Sequence, residues 1–207
     1  MISEETKEKI KKIKQSFRLI MNGPISQSMR EKGINYKINW GVPLIELQKM
    51  AEEYPKDYEL AIELYKEDIR ECKILATLLM PQERMLPEIT EIWMEQCPSQ
   101  EIAEMLAFNL FQHLDYASVL AYQWMASDDP FSQITAYQIL SKLFTKGQEP
   151  NERGINEYLD QVAVALQSSN VSVRHAAYNS LMRFIDLGTE YKVIARNAMK
   201  SQGFDII

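Results

Sequence analysis

Ala165-Leu166-Gln167-Ser168-Ser169-Asn170 runs into Val171-Ser172-Val173-Arg174-His175-Ala176-Ala177-Tyr178 and continues to Phe184. The order is apolar run, short polar turn, apolar run. Asn170 can accept a hydrogen bond from the first free backbone N–H groups of a helix, so it reads as an N-cap. Val173, Ala176, Ala177, Leu181 and Phe184 then recur at helical spacing and form one apolar stripe. The small side chains at 176 and 177 let a neighbouring helix approach closely.

The pattern occurs twice more with different residues. Ile92-Trp93-Met94-Glu95-Gln96-Cys97-Pro98-Ser99 leads into a helix-like run to Phe111, and Gln123-Trp124-Met125-Ala126-Ser127-Asp128-Asp129-Pro130 into one to Phe144. Each copy reads helix, tight polar turn, helix. Units of this kind cannot bury an apolar face alone, so they stack into an α-solenoid whose concave face is a binding surface. Trp93 and Trp124 occupy equivalent positions, which points to core packing.

The remaining segments are also helical in pattern. Ile10, Ile13, Phe17, Ile20 and Met21 make a stripe at spacings of three and four. The opposite face carries Lys7, Lys9, Lys11, Lys12 and Lys14, a solvated or a phosphate-touching face. Asn22-Gly23-Pro24 is expected to stop that helix. Residues 33–43 form an extended or turning connection, residues 57–79 two helices or one bent helix, and residues 190–200 a last helix. No strand-like alternation persists. The expected class is all-α, an armadillo/HEAT-like α-α superhelix in a single domain over 1–207. It has a basic N-terminal segment over 1–33, repeats over 34–188 and a terminal helix over 189–207.

Composition is that of an ordinary globular protein, with 46% hydrophobic and 25% charged residues. No run of about 18 apolar residues would span a membrane, and the charged start, Met1 to Lys14, is unlike a secretory signal. Cys72 and Cys97 lack zinc-site spacing and read as buried, reduced thiols of a cytoplasmic protein. The formal charge of −6 is uneven: residues 1–40 carry nine Lys/Arg against four Asp/Glu, and residues 41–104 six against fifteen. Phosphate attraction dominates nucleic-acid affinity. Nucleic-acid contact would therefore use the basic N-terminal segment or local Lys/Arg clusters.

No nucleotide-binding glycine loop and no HExxH occurs. His113 and His175 are the only histidines, too few for a histidine-rich metal site. Neither a metal nor a cofactor is expected. Glu101 and Glu104 lie three apart and share a helix face. They read either as an acid–base pair or as two solvated acids. Trp40 has no repeat counterpart and lies beside Lys37 and Gly41 in an irregular stretch, which makes Trp40 and Lys37 contact candidates.

Asn35-Tyr36-Lys37-Ile38-Asn39-Trp40-Gly41-Val42-Pro43-Leu44, followed by an amphipathic helix, is similar to the early segment of the DNA alkylation repair family. Residues 64–76, with their Glu, Arg and Ala positions, resemble its next helix pair. Trp124 with Ser127, Asp128 and Phe131 resembles a later element, and Val173-Arg174-His175-Ala176 the last. The resemblance spans roughly 34–188 by the order of these motifs. It implies HEAT-like helix pairs that hold duplex DNA on the concave face. Active members excise cationic alkylpurines without extruding the base. A carboxylate and two tryptophans stabilise charge developing on the sugar while arginines grip the backbone.

Carried over, the carboxylate position falls on Glu104. The tryptophan positions fall near Gln100 and Asn179, with Tyr178 beside the latter. The arginines expected after Phe131 fall on Gln133 and Ile134, whereas Arg174 matches. The resemblance thus implies a divergent member that binds double-stranded DNA, alkylated or branched. Its glycosylase chemistry would rest on Glu104, and its contacts on Trp40, Lys37, Arg174, Tyr178 and Asn179. A non-catalytic HEAT-repeat scaffold for a protein partner is the alternative.

Overall fold

The computed structural model describes residues 2–205. These fall into two compact units that divide between Leu110 and Phe111. The N-terminal unit contains α1 (Glu4–Leu19), α2 (Gly23–Glu31), α3 (Leu44–Glu52), α4 (Tyr58–Lys66), α5 (Arg70–Leu79), α6 (Pro87–Glu95) and α7 (Gln100–Asn109). The C-terminal unit contains α8 (Ala117–Met125), α9 (Pro130–Thr145), α10 (Glu152–Ala165), α11 (Val171–Ile185) and α12 (Thr189–Ser201). Among the described residues the only β-type pairing is one isolated bridge between Ile38 and Ile69.

The three expected turns each start a helix on a side-chain cap. Ser99 accepts from the Ile102 N–H at the start of α7, Asp129 from Ser132 at α9, and Asn170 from Ser172 and Val173 at α11. The five stripe positions of α11 are all buried. In the C-terminal unit α9 and α11 pack side by side, with α8 against α9 and α12 against α11. Phe144, Tyr158 and Phe184 meet at centroid separations of 5.1 to 5.4 Å, and Tyr158 donates to Ser180 Oγ at 2.9 Å. The buried phenol is therefore satisfied.

In the N-terminal unit α5 is the central element, buried along nearly its whole length and packed on α3, α4 and α7. A helix surrounded on all sides must satisfy its polar residues internally. Thr77 donates to the Ile74 carbonyl and accepts from Asn109. Lys73 donates to the Tyr65 carbonyl at 2.7 Å and lies 4.3 Å from the centre of that ring. Burial lowers its pKa. The Tyr65 ring stacks on Trp93 at 4.0 Å. Trp93 and Trp124 are 2% and 7% exposed, so both are core residues. Cys72 and Cys97 are buried and unpaired with one another.

Some expectations need correction or refinement. Asn22-Gly23-Pro24 does not stop α1, which ends at Leu19; Asn22 instead caps α2, with Pro24 in its first turn. Met21 lies beyond α1 and is exposed. The lysine face of α1 is largely solvated, as one of its two readings expects, and Lys12 forms no ion pair among the described residues, but the others are paired. Lys9 reaches Asp57 at 3.0 Å, Lys14 reaches Glu67 at 2.9 Å, and Lys7 and Lys11 pair within the helix.

Truncating Phe184 removes the ring shared by α9, α10 and α11. Phe184→Ala is expected to lower the unfolding free energy by about 3–5 kcal/mol, read from denaturant titration. A loss below about 1 kcal/mol would show that the cluster does not carry the core of this unit.

Candidate nucleic-acid interface

The connector from Gly33 to Pro43 has little secondary structure, yet it is held from two sides. The fully buried Glu71 accepts the backbone N–H groups of Trp40 and Val42, at 3.1 to 3.2 Å, and the Arg70 guanidinium. Arg70 also donates to the Val42 carbonyl at 3.0 Å. On the α2 side, the Asn22 N–H donates to the Trp40 carbonyl and Ser26 Oγ to the Asn39 carbonyl. Gly41 has φ +68°, and a Cβ there would lie 2.1 Å from the Asn22 carbonyl oxygen. Only glycine fits this approach.

Arg70 continues the network to α7. It grips Glu101 with two nitrogens, at 2.6 and 2.8 Å, the fork geometry that suits a carboxylate. The Tyr36 hydroxyl donates to Glu101 at 2.6 Å and shares a hydrogen bond with Ser99, the cap of α7. Burial of Glu101 acts to raise its pKa, but the Arg70 hydrogen bonds and charge and the Tyr36 hydroxyl outweigh it and hold the carboxyl below its ordinary value. Burial and the Glu101 charge push the Tyr36 phenol up.

Glu101 is therefore committed to an ion pair and is not half of an acid–base couple with Glu104. Glu104 stands one turn along α7, half-buried, and accepts a hydrogen bond from Gln100 at 2.9 Å. The two positions carried over from the family, the carboxylate and the first tryptophan, thus touch each other here as an acid and an amide.

A cleft of ≈ 310 Å³ opens beside the connector, lined among others by Ser26, Arg30, Asn35, Lys37, Asn39 and Trp40. Trp40 and Lys37 are thus brought together. The Trp40 ring is half-buried, and the Arg18 guanidinium lies 5.7 Å from its centre. Lys37 is exposed and pairs with Asp68 at 2.8 Å, a surface contact worth little. Arg18 and Arg30 are exposed and form no ion pair among the described residues. Neither was singled out in the sequence, where only the net charge of the segment was legible.

On α11, His175, Tyr178, Asn179 and Arg183 are exposed and Arg174 is half-buried. Arg174 turns back to donate to the Ser168 carbonyl and so braces the α10–α11 turn. Arg183 pairs with Asp186. Tyr178 is 39% exposed and presents a ring to solvent. Gln133 donates to the Ser127 carbonyl, and Ile134 is buried in α9. No group of three or more His, Cys, Asp or Glu side chains suited to a metal ion occurs among the described residues. No helix among them is long and apolar enough to cross a membrane.

A sequence model of the DNA alkylation repair enzyme family matches residues 9–195, and the chain belongs to that family. No curated protein matches the sequence. One solved structure comes from a new family of proteins related to the HEAT-like repeat DNA glycosylases, with affinity for branched DNA structures. It aligns with a TM-score of 0.80 at 17% identity, covering 93% of this chain and 82% of that one. The fold is therefore all-α, in the HEAT-like α-α superhelix class.

The Arg70–Glu101 pair has a pH signature. The folded state binds the Glu101 proton less readily than the unfolded chain, whose carboxyl has the ordinary value near 4.5. The pair's contribution is full above that value and is lost as the pH falls below it. Glu101→Gln removes one of the two carboxylates that hold the buried Arg70 and leaves it only Glu71; it is expected to cost about 3 kcal/mol at neutral pH. The gap between wild type and variant, measured by denaturant unfolding, should narrow in acid. A gap independent of pH would contradict the assignment.

Proposed function

We propose that this protein binds double-stranded DNA as a divergent, primarily non-excising member of its family. The observation that carries the reading is the family match, which runs through both units on a HEAT-like fold. It supports treating residues 1–207 as one helical-repeat domain. The branched-DNA affinity of the structurally similar protein extends the proposal to branched substrates. The contacts we assign are Trp40 and Lys37 at the connector and Arg174, Tyr178 and Asn179 on α11. Glu104 is the one candidate for a catalytic carboxylate. With Gln100 and Asn179 at the tryptophan positions, the site lacks the aromatic faces that would stabilise a cationic transition state. A cytoplasmic location belongs to the same proposal.

A second reading, a scaffold for a protein partner, draws on a groove of ≈ 680 Å³ in the C-terminal unit. Val119 is exposed there, with the largely buried Leu140, Leu143 and Phe144 at its floor and Glu149, Arg153 and Glu157 in its lining, and a groove of mixed apolar and charged lining fits a protein contact.

Duplex binding across a salt series separates the two. Affinity is expected to fall linearly with log salt, with a slope of about −0.9 per phosphate neutralised. Absence of binding at low salt would overturn the DNA reading in favour of a protein partner. On alkylated duplex, little or no base release is expected. Should the wild type release base, Glu104→Gln will abolish the release if Glu104 is the catalytic carboxylate; undiminished release would remove it from that role.

A further inference from the structure

We propose that the cleft beside Trp40 holds a single unpaired nucleotide of a branched or frayed DNA arm. The base would lie against the indole and the phosphodiester on Arg30 and Lys37. This inference rests on the DNA-binding reading and gives that reading a substrate feature.

Three observations carry it. The first is chemistry. Among the described residues Arg18 and Arg30 lack carboxylate partners, and Lys37 is held only by an exposed Asp68. Asn35, Asn39 and Ser26 add amides and a hydroxyl to the lining. An aromatic ring with cations nearby is the combination that single-stranded nucleic acids engage, through base stacking and backbone charge together. The indole N–H of Trp40 is buried and makes no hydrogen bond, so the residue offers a face and not a donor. Arg18 covers part of that face now. A base entering there would release it to the adjoining phosphate.

The second is size. A cleft of ≈ 310 Å³ lies at the small end of ligand sites. Its interior is of the size of one nucleotide, and a duplex could meet only its rim.

The third is preorganisation. Trp40 has its N–H bound by the buried Glu71 and its carbonyl by Asn22, and its neighbour Gly41 is locked against α2. A buried carboxylate devoted to an otherwise irregular loop fixes where Trp40 and Lys37 stand before any ligand arrives. Such fixing lowers the ordering cost of binding. The other two tryptophans are core residues, so Trp40 is the one placed to report on a ligand.

The test compares a forked duplex bearing unpaired arms with a blunt duplex of the same paired sequence. It uses the full chain and the double variant Arg18→Ala, Arg30→Ala, whose substituted side chains are both exposed. The wild type is expected to prefer the fork by about tenfold, the scale of one base stacked on an aromatic ring plus its phosphate. The double variant should lose that preference, its affinity for the fork falling more than its affinity for the blunt duplex. Tryptophan fluorescence should be quenched by the fork, and Trp40→Phe should remove the quench. Duplex binding with no fork preference in the wild type, or a preference that survives in the double variant, would overturn the cleft and leave the DNA reading standing. If neither DNA binds, the DNA reading fails and the cleft with it.

Discussion

The N-terminal unit depends on one buried charge cluster. Arg70 lies at the start of the most enclosed helix, between the carboxylates of Glu71 and Glu101. Taking a guanidinium and a carboxylate out of water is costly, and their attraction repays the cost only when nearly every donor and acceptor is matched. Here the matching is achieved by importing backbone. The connector supplies the Val42 carbonyl to Arg70 and two N–H groups to Glu71, and Tyr36 completes Glu101. The irregular segment and the ion cluster therefore hold each other in place. Hydrophobic residues of similar volume would stabilise α5 as well, but they would not fix the course of the connector. What the cluster gains is position, and the residues it positions are Lys37 and Trp40.

The same logic explains where the positive charge resides. Much of the surplus of the first forty residues is paired with acids, in part on the surface of α1. Lys9 and Lys14 tie α1 to acids flanking α4, and Lys7 and Lys11 pair along α1. Among the described residues Lys12, Arg18, Arg30 and Lys32 form no ion pair, and of these Arg18 and Arg30 lie near Trp40. A local pair of free arginines beside a ring is a narrower signal than a basic stripe. It selects for a phosphate at a defined place and not for a rod of charge. On α11 the cations are similarly spent, Arg174 on a turn carbonyl and Arg183 on Asp186.

Features fixed by short-range chemistry were legible in the sequence. Asn170, its buried stripe and the repeat of cap and turn at Ser99 and Asp129 all depend on residues within a few positions of each other. The Asn22-Gly23-Pro24 segment was ambiguous because asparagine and proline can end one helix or begin the next, and only the early end of α1 decides between them. The candidate site was legible in part. Trp40 and Lys37 were marked by their irregular setting, but the Tyr36–Glu101 contact joins positions 65 residues apart. No local pattern announces such a pairing. Glu101 and Glu104 looked alike on one helix face. They part company because only one of them meets Arg70.

The account's central claim is that a rigidly held connector presents Trp40 and its cationic neighbours to DNA. Hydrogen–deuterium exchange of the full chain, with and without forked DNA, tests it most directly. The account expects added protection over residues 22–42, on α2 and the connector. Binding that leaves this segment's exchange unchanged while protecting surfaces elsewhere would contradict it.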